Sequence, residues 1–176
     1  MVKILVCGIA GHMGGNILEL LKNDDEAQAV CGVDLHAPEN FAGKVYPAFA
    51  EVSEDVDVVI DFSSPSCLES ELEFCMQRGV PAVIAATGYT AEQLALIDEC
   101  AKKVAIFRTA NFSVGVNLLV KLVKEAAAFL GEKFDIEIVE KHHNLKKDAP
   151  SGTALMLADA ANSAFEENKP YICGRE

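Results

Sequence analysis

Val2-Lys3-Ile4-Leu5-Val6-Cys7-Gly8-Ile9-Ala10-Gly11-His12-Met13-Gly14 stands near the start of the chain, and its reading decides the fold. Residues 2–7 are an apolar run with one charge, the pattern of a strand buried on both faces in a parallel sheet. Three glycines follow within seven residues, and Ile17, Leu18, Leu20 and Leu21 then recur at helical spacing. Residues 27–33 make a second apolar run that ends on Asp34, twenty residues after Gly14. Strand, glycine turn, helix, strand and acid, in that order, form a dinucleotide-binding fingerprint. One glycine makes the tight turn, another lets backbone N–H groups reach a pyrophosphate, and a third lets helix and sheet pack closely. The competing reading, a tight turn with no ligand, gives no reason for an acid at the ribose position.

Further along, residues 57–61, 81–86 and 104–107 read as three more buried strands. Residues 67–78 have helical spacing and stop at Gly79, a residue suited to the left-handed position past a helix end. Thr90 with Gln93 three residues later is a capping-box start for a helix over 91–102. Residues 35–50 carry Pro38, Gly43 and Pro47 with little periodicity and read as an irregular connection. Alternating strands and helices define an α/β class, a Rossmann-type doubly wound parallel sheet. Ligands of such sheets bind beyond the carboxyl ends of the strands. One edge therefore gathers the cofactor candidates: Gly8, Ile9, Ala10, Gly11, His12, Met13, Asp34, Ala85, Ala86, Thr87, Thr109, Ala110, Asn111 and Phe112.

The domain boundary falls at residue 113, giving a dinucleotide-binding domain over 1–112 and a second domain over 113–176. A helix pattern covers 113–130, and residues 134–140 (F-D-I-E-I-V-E) alternate as a half-exposed strand. A lone strand leaves both edges unpaired, so this α+β domain reads as incomplete in the chain. Either another copy supplies a pairing edge, or strands that belong here lie outside the sequence. Glu140-Lys141-His142-His143-Asn144-Leu145-Lys146-Lys147-Asp148-Ala149-Pro150-Ser151-Gly152-Thr153-Ala154 follows, placing two histidines and three lysines in seven residues. Pro150-Ser151-Gly152-Thr153 opens an apolar helix pattern running to about residue 168. Free N–H groups at a helix start, beside cations, make a site for a carboxylate or phosphate.

Bulk composition narrows the classes. A formal net charge of -12, from 27 acidic and 15 basic residues, argues against nucleic acid as a partner. It also makes the local cluster of cations stand out as an anion site. No apolar run approaches membrane-spanning length, and the N-terminus enters a strand pattern without a signal peptide. The six cysteines lack CxxC pairs and read as reduced thiols in a cytoplasmic protein. Metal binding by His142 and His143 is disfavoured, because adjacent strand residues diverge and no Cys or third His stands at ligand spacing. Lys147 reads as a solvated charge.

Five motifs carry a resemblance that runs from Val2 to Glu176: G-I-A-G-H-M-G, D-F-S, A-T-G-Y-T, A-N-F-S-V-G-V-N and E-K-H-H-N-L-K-K-D-A-P-S-G-T-A. The chain resembles the 4-hydroxy-tetrahydrodipicolinate reductases (older name dihydrodipicolinate reductases) of diaminopimelate and lysine biosynthesis. The resemblance implies an NAD(P)H-dependent oxidoreductase acting on a small cyclic dicarboxylate, with NADH or NADPH on the first domain. It implies His142 as acid/base, Lys146 as companion proton donor, and His143, Gly152 and Thr153 as substrate carboxylate ligands. It further implies a homo-oligomer, a tetramer. Asp34 opposes a 2′-phosphate by like charge, so NADH should bind at least as well as NADPH.

The sequence departs from the family in three places. His12 stands where many members carry Arg or Lys, Ala86 replaces a common hydroxyl residue, and members continue past Y-I-C-G-R-E. The missing region supports the alternative, a truncated, non-catalytic nicotinamide-nucleotide-binding module of the same fold.

Overall fold

A computed structural model of the chain describes residues 1–144, 146 and 149–174. Lys147, read above as a solvated charge, lies outside the described residues. The chain divides into two compact units, Met1–Thr109 and Ala110–Glu176.

The first unit is built on six parallel strands: β1 Val2–Cys7, β2 Ala27–Val33, β3 Lys44–Tyr46, β4 Val58–Asp61, β5 Ala82–Ile84 and β6 Ile106–Arg108. Their order is β3-β2-β1-β4-β5-β6. Successive residues of β1 serve opposite faces, as a two-residue period demands. Leu5 and Cys7 join one apolar cluster with Val59, Leu68 and Ile84. Ile4 and Val6 join the other with Ile9 and Leu18. Helices α1 His12–Leu21, α2 Leu68–Arg78 and α3 Ala91–Ala101 form the crossovers. Gly79 ends α2 at φ 68°, and Thr90 and Gln93 close the expected capping box on α3.

Two expectations in this unit shift. Residues 35–50 are not wholly irregular: Lys44–Tyr46 forms β3, pairing Cys31 with Lys44 and Val33 with Tyr46. Three residues are too few to show a period, yet they satisfy the outer edge of β2. The last strand begins at Ile106 rather than residue 104, because the Lys103 and Val104 N–H groups return to the Cys100 carbonyl and finish α3.

The second unit contains α4 Val114–Leu130 and α5 Gly152–Asn162. The strand expected over residues 134–140 is not formed: a 3-10 turn covers Gly131–Lys133, and no ladder partner exists among the described residues. Alternating polarity makes a strand only where a neighbour supplies the ladder. Helix α5 ends at Asn162 rather than near residue 168. The Asn162 side chain there accepts the Lys169 N–H at 2.8 Å and donates to the Lys169 carbonyl at 3.0 Å, folding the chain back.

Candidate active site

Gly8 sits at φ +77°, where a side chain is strained, and a Cβ there would lie 3.0 Å from backbone atoms of Phe62 and Ser63. Its N–H donates to the Val33 carbonyl at 2.9 Å, and the Gly11 N–H donates to the Gly8 carbonyl at 3.0 Å. A Cβ on Gly14 would approach Ile9 Cα to 2.6 Å, so α1 and the turn that leaves β1 meet more closely than a side chain permits. Hydroxyls of Thr90, Ser113 and Ser151 cap α3, α4 and α5, whereas Gly11 gives α1 no side-chain cap. The first N–H groups of α1 are thus suited to an anionic ligand. Asp34 accepts the Ala10 N–H at 3.0 Å and the His36 N–H at 3.2 Å. It ties the glycine turn to the end of β2 and keeps lone pairs for ribose hydroxyls.

Other predicted cofactor residues differ in what they present. Ala10, Gly11, His12, Met13 and Thr87 are exposed. Ile9, Ala85 and Ala86 are buried. The Ala85 N–H is already donated to the Asp61 carbonyl at 2.8 Å. The Thr109 N–H donates to the Ile84 carbonyl at 3.3 Å. Ala110, Asn111 and Phe112 belong to the second unit.

A buried polar cluster escaped sequence reasoning, although the D-F-S motif ending β4 was its signal. Asp61 is 1% exposed and accepts the Ser63 backbone N–H at 2.8 Å and the Ser63 hydroxyl. The Tyr89 hydroxyl donates to its other oxygen at 3.4 Å. Asp61 therefore holds together the turns that leave β4 and β5. Its neighbour β1 is where the strand order reverses, the position of the ligand crevice in such sheets. Glu71 is fully buried, with neither carboxylate oxygen hydrogen-bonded. Burial first, and Asp61 second, push its pKa up to about 9.

In the second unit, Glu140 stands at the centre, a residue given no role from sequence. One of its oxygens, Oε1, accepts the Ser151 N–H at 2.9 Å, and Oε2 lies 3.6 Å from His142 Nδ1. The Ser151 hydrogen bonds, followed by the charges of His142 and Lys146, hold its carboxyl below the usual range. Imidazole and the start of α5 are thereby brought to one acid, which also feels the Lys146 charge. Ser151 is buried, and its hydroxyl accepts the Ala154 N–H at 3.1 Å, capping α5. Asn111, expected on a cofactor, donates its side-chain amide to the Thr153 hydroxyl oxygen at 3.0 Å. Its Oδ1 accepts the Ser113 N–H at 2.8 Å, so α4 and α5 are joined at their starts. A Cβ on Gly152 would meet only Ala110 Cβ, at 3.9 Å, leaving open space at this helix start. His143 is exposed, and its carbonyl accepts the Lys146 N–H at 3.3 Å. The sequence signal for Glu140 was an acid two residues before His142, the spacing that puts two side chains on one side of an extended chain.

An uncapped helix behind a glycine turn, on a parallel sheet of this order with an acid ending β2, defines a dinucleotide-binding protein of the doubly wound class. Residues 2–112 match the family described as dihydrodipicolinate reductase, N-terminus, and residues 115–173 match dihydrodipicolinate reductase, C-terminus. The 4-hydroxy-tetrahydrodipicolinate reductase of Caldanaerobacter subterraneus subsp. tengcongensis is 48% identical, over 99% of this chain and 69% of its own. That of Clostridium tetani is 42% identical, over the same shares. Among solved structures, a dipicolinate-bound dihydrodipicolinate reductase from Paenisporosarcina sp. TG-14 superposes with a TM-score of 0.76 at 28% identity, over 100% of this chain and 71% of that one. The chain belongs to the dihydrodipicolinate reductase family.

Proposed function

We propose that the chain reduces 4-hydroxy-tetrahydrodipicolinate to tetrahydrodipicolinate with NADH or NADPH, the first unit holding the nucleotide and the second carrying substrate and proton donors. The observation that carries this reading is the meeting of His142 and the start of α5 at Glu140. An acidic chain repels a doubly charged substrate everywhere except where cations and peptide N–H groups are concentrated. The glycine turn, the uncapped α1 and Asp34 fit a dinucleotide: N–H groups for the pyrophosphate, a carboxylate for the ribose.

Bound nicotinamide supplies a hydride, two electrons with one hydrogen. The substrate and product differ by one hydroxyl, so the balance closes with one proton taken up and the oxygen leaving as water. His142 or Lys146, the side chains there that can carry a proton on nitrogen, donates that proton. His143, Gly152 and Thr153 take the carboxylates, with Asn111 leaving the Thr153 hydroxyl hydrogen for the ligand. Dipicolinate, bound by the Paenisporosarcina enzyme, is the natural dicarboxylate probe. The same reading places the chain in the cytoplasm as a homo-oligomer, a tetramer, with exposed Val114, Leu118 and Leu122 of α4 as apolar surface for contact. Among the described residues no helix is long and apolar enough to cross a membrane.

The deciding experiment follows nicotinamide absorbance as 4-hydroxy-tetrahydrodipicolinate is added to the chain with NADH. Substrate-dependent oxidation is expected. Tight NADH binding without oxidation would leave the non-catalytic nucleotide-binding module standing instead.

A further inference from the structure

We propose that Glu140 is a positioning residue for His142, fixing which ring nitrogen carries the proton; this rests on the reductase reading above. The carboxylate divides its two oxygens between two tasks. Oε1 accepts the Ser151 N–H at 2.9 Å, and Ser151 is only 6% exposed at the start of α5. Anchored there, the group holds Oε2 on the Nδ1 side of His142, at 3.6 Å. That separation is within ion-pair range and longer than a hydrogen bond, and catalytic contacts of this kind shorten when substrate seats.

An ionised carboxylate only accepts hydrogen bonds, so the nitrogen facing it must carry hydrogen. Glu140 is held in that ionised form chiefly by Ser151, with Lys146 and His142 contributing their charges. His142 then presents Nε2 away from Glu140, as the nitrogen that exchanges a proton with substrate. Once the proton has left, Nδ1–H remains facing the carboxylate, and the ring does not scramble between its two neutral forms. A carboxylate behind an imidazole does this in other enzymes by orientation alone, without itself accepting the proton.

Glu140→Gln separates orientation from scaffolding. The glutamine carbonyl still accepts the Ser151 N–H, so the start of α5 is kept. Its amide NH₂ then faces Nδ1 and donates, which requires a lone pair on Nδ1 and moves the hydrogen to Nε2. Long-range ¹H–¹⁵N NMR of the full chain at alkaline pH, with the His142 signal assigned by its loss in His142→Ala, reads the tautomer directly. The expected result is Nδ1–H in the wild type and Nε2–H in Glu140→Gln. Turnover in Glu140→Gln is expected to fall about 10–100-fold, as for other partners that orient a working histidine, with NADH affinity unchanged. Ser151→Ala, which removes the cap and the hydroxyl's bond to Glu140 but keeps the N–H on Oε1, should retain Nδ1–H while melting earlier.

Nε2–H in the wild type, an unchanged tautomer in Glu140→Gln, or full turnover by that variant would each overturn the proposal. A wild type that never oxidises NADH would sink the reductase reading, and the tautomer comparison would still decide the role of Glu140.

Discussion

In Met1–Thr109 the fully buried side chains include Leu5, Val6, Val59, Leu68 and Ile84, and the sheet separates two apolar clusters. In Ala110–Glu176 the buried residues among those described are Ala127, Ser151, Ala154, Ala160 and Ala161, all small. Phe129 and Val139 there are each 90% exposed, and an open groove of about 880 Å³ is lined by residues such as Ile136, Ile138, Leu155 and Tyr171. A parallel sheet must cover both faces, so the first unit concentrates bulk in its interior. In the second, alanines occupy the buried positions of α4 and α5, and larger side chains and titratable groups remain at the surface. The difference separates stability, concentrated in the first unit, from the proton chemistry proposed for the second.

That separation is sharpest for catalysis. His142→Ala should lower turnover by about 10²–10⁴, the usual worth of general acid help, while NADH affinity and melting temperature hold. A parallel loss of NADH binding would break the division. Packing gives the next effect. Leu5→Ala should cost about 2–5 kcal/mol in a denaturant titration, whereas Phe129→Ala should stay within about 0.5 kcal/mol. Equal losses would show that the second unit carries a core of its own at Phe129.

Glu71 gives a smaller effect with a defined sign. Its pKa is raised from the ordinary 4.5 to about 9 in the folded chain. The unfolded chain releases that proton above 4.5 and the folded chain keeps it, so the contribution is complete below 4.5 and lost as pH rises through about 9. The slope is at most about 1.4 kcal/mol per pH unit. Between pH 6 and 8 the wild type should lose up to about 3 kcal/mol more stability than Glu71→Gln. Parallel stability curves for the two would show that Glu71 ionises freely where it stands.

Much of the first unit was legible because its determinants are local. The run before Gly8, the spacing to Asp34, the Thr90–Gln93 box and the stop at Gly79 each fix an element within a few residues. Strand β3 was not legible, since three residues pair only because the β2 edge waits for them. Residues 134–140 misled for the complementary reason: their alternation is real, but the ladder depends on a neighbour. At the site, charge on an acidic chain marked the cluster of Lys141, His142, His143, Lys146 and Lys147, and the family resemblance chose His142 and Lys146 from it. Asp61 and Glu140 were missed because their work, holding turns and a helix start, shows only when distant backbone N–H groups are brought to them. Asn111 is proposed beside the nucleotide by its place after β6; that its side chain also bonds Thr153 and the start of α4 no local pattern announces.

The most direct test of the division between the units is a pair of calorimetric titrations on Asp34→Ala and Thr153→Val, each with NADH and with dipicolinate in the presence of saturating NADH. The account predicts that Asp34→Ala weakens NADH and spares dipicolinate, and that Thr153→Val does the reverse. A single substitution that weakens both ligands alike, or two that weaken neither, would contradict it.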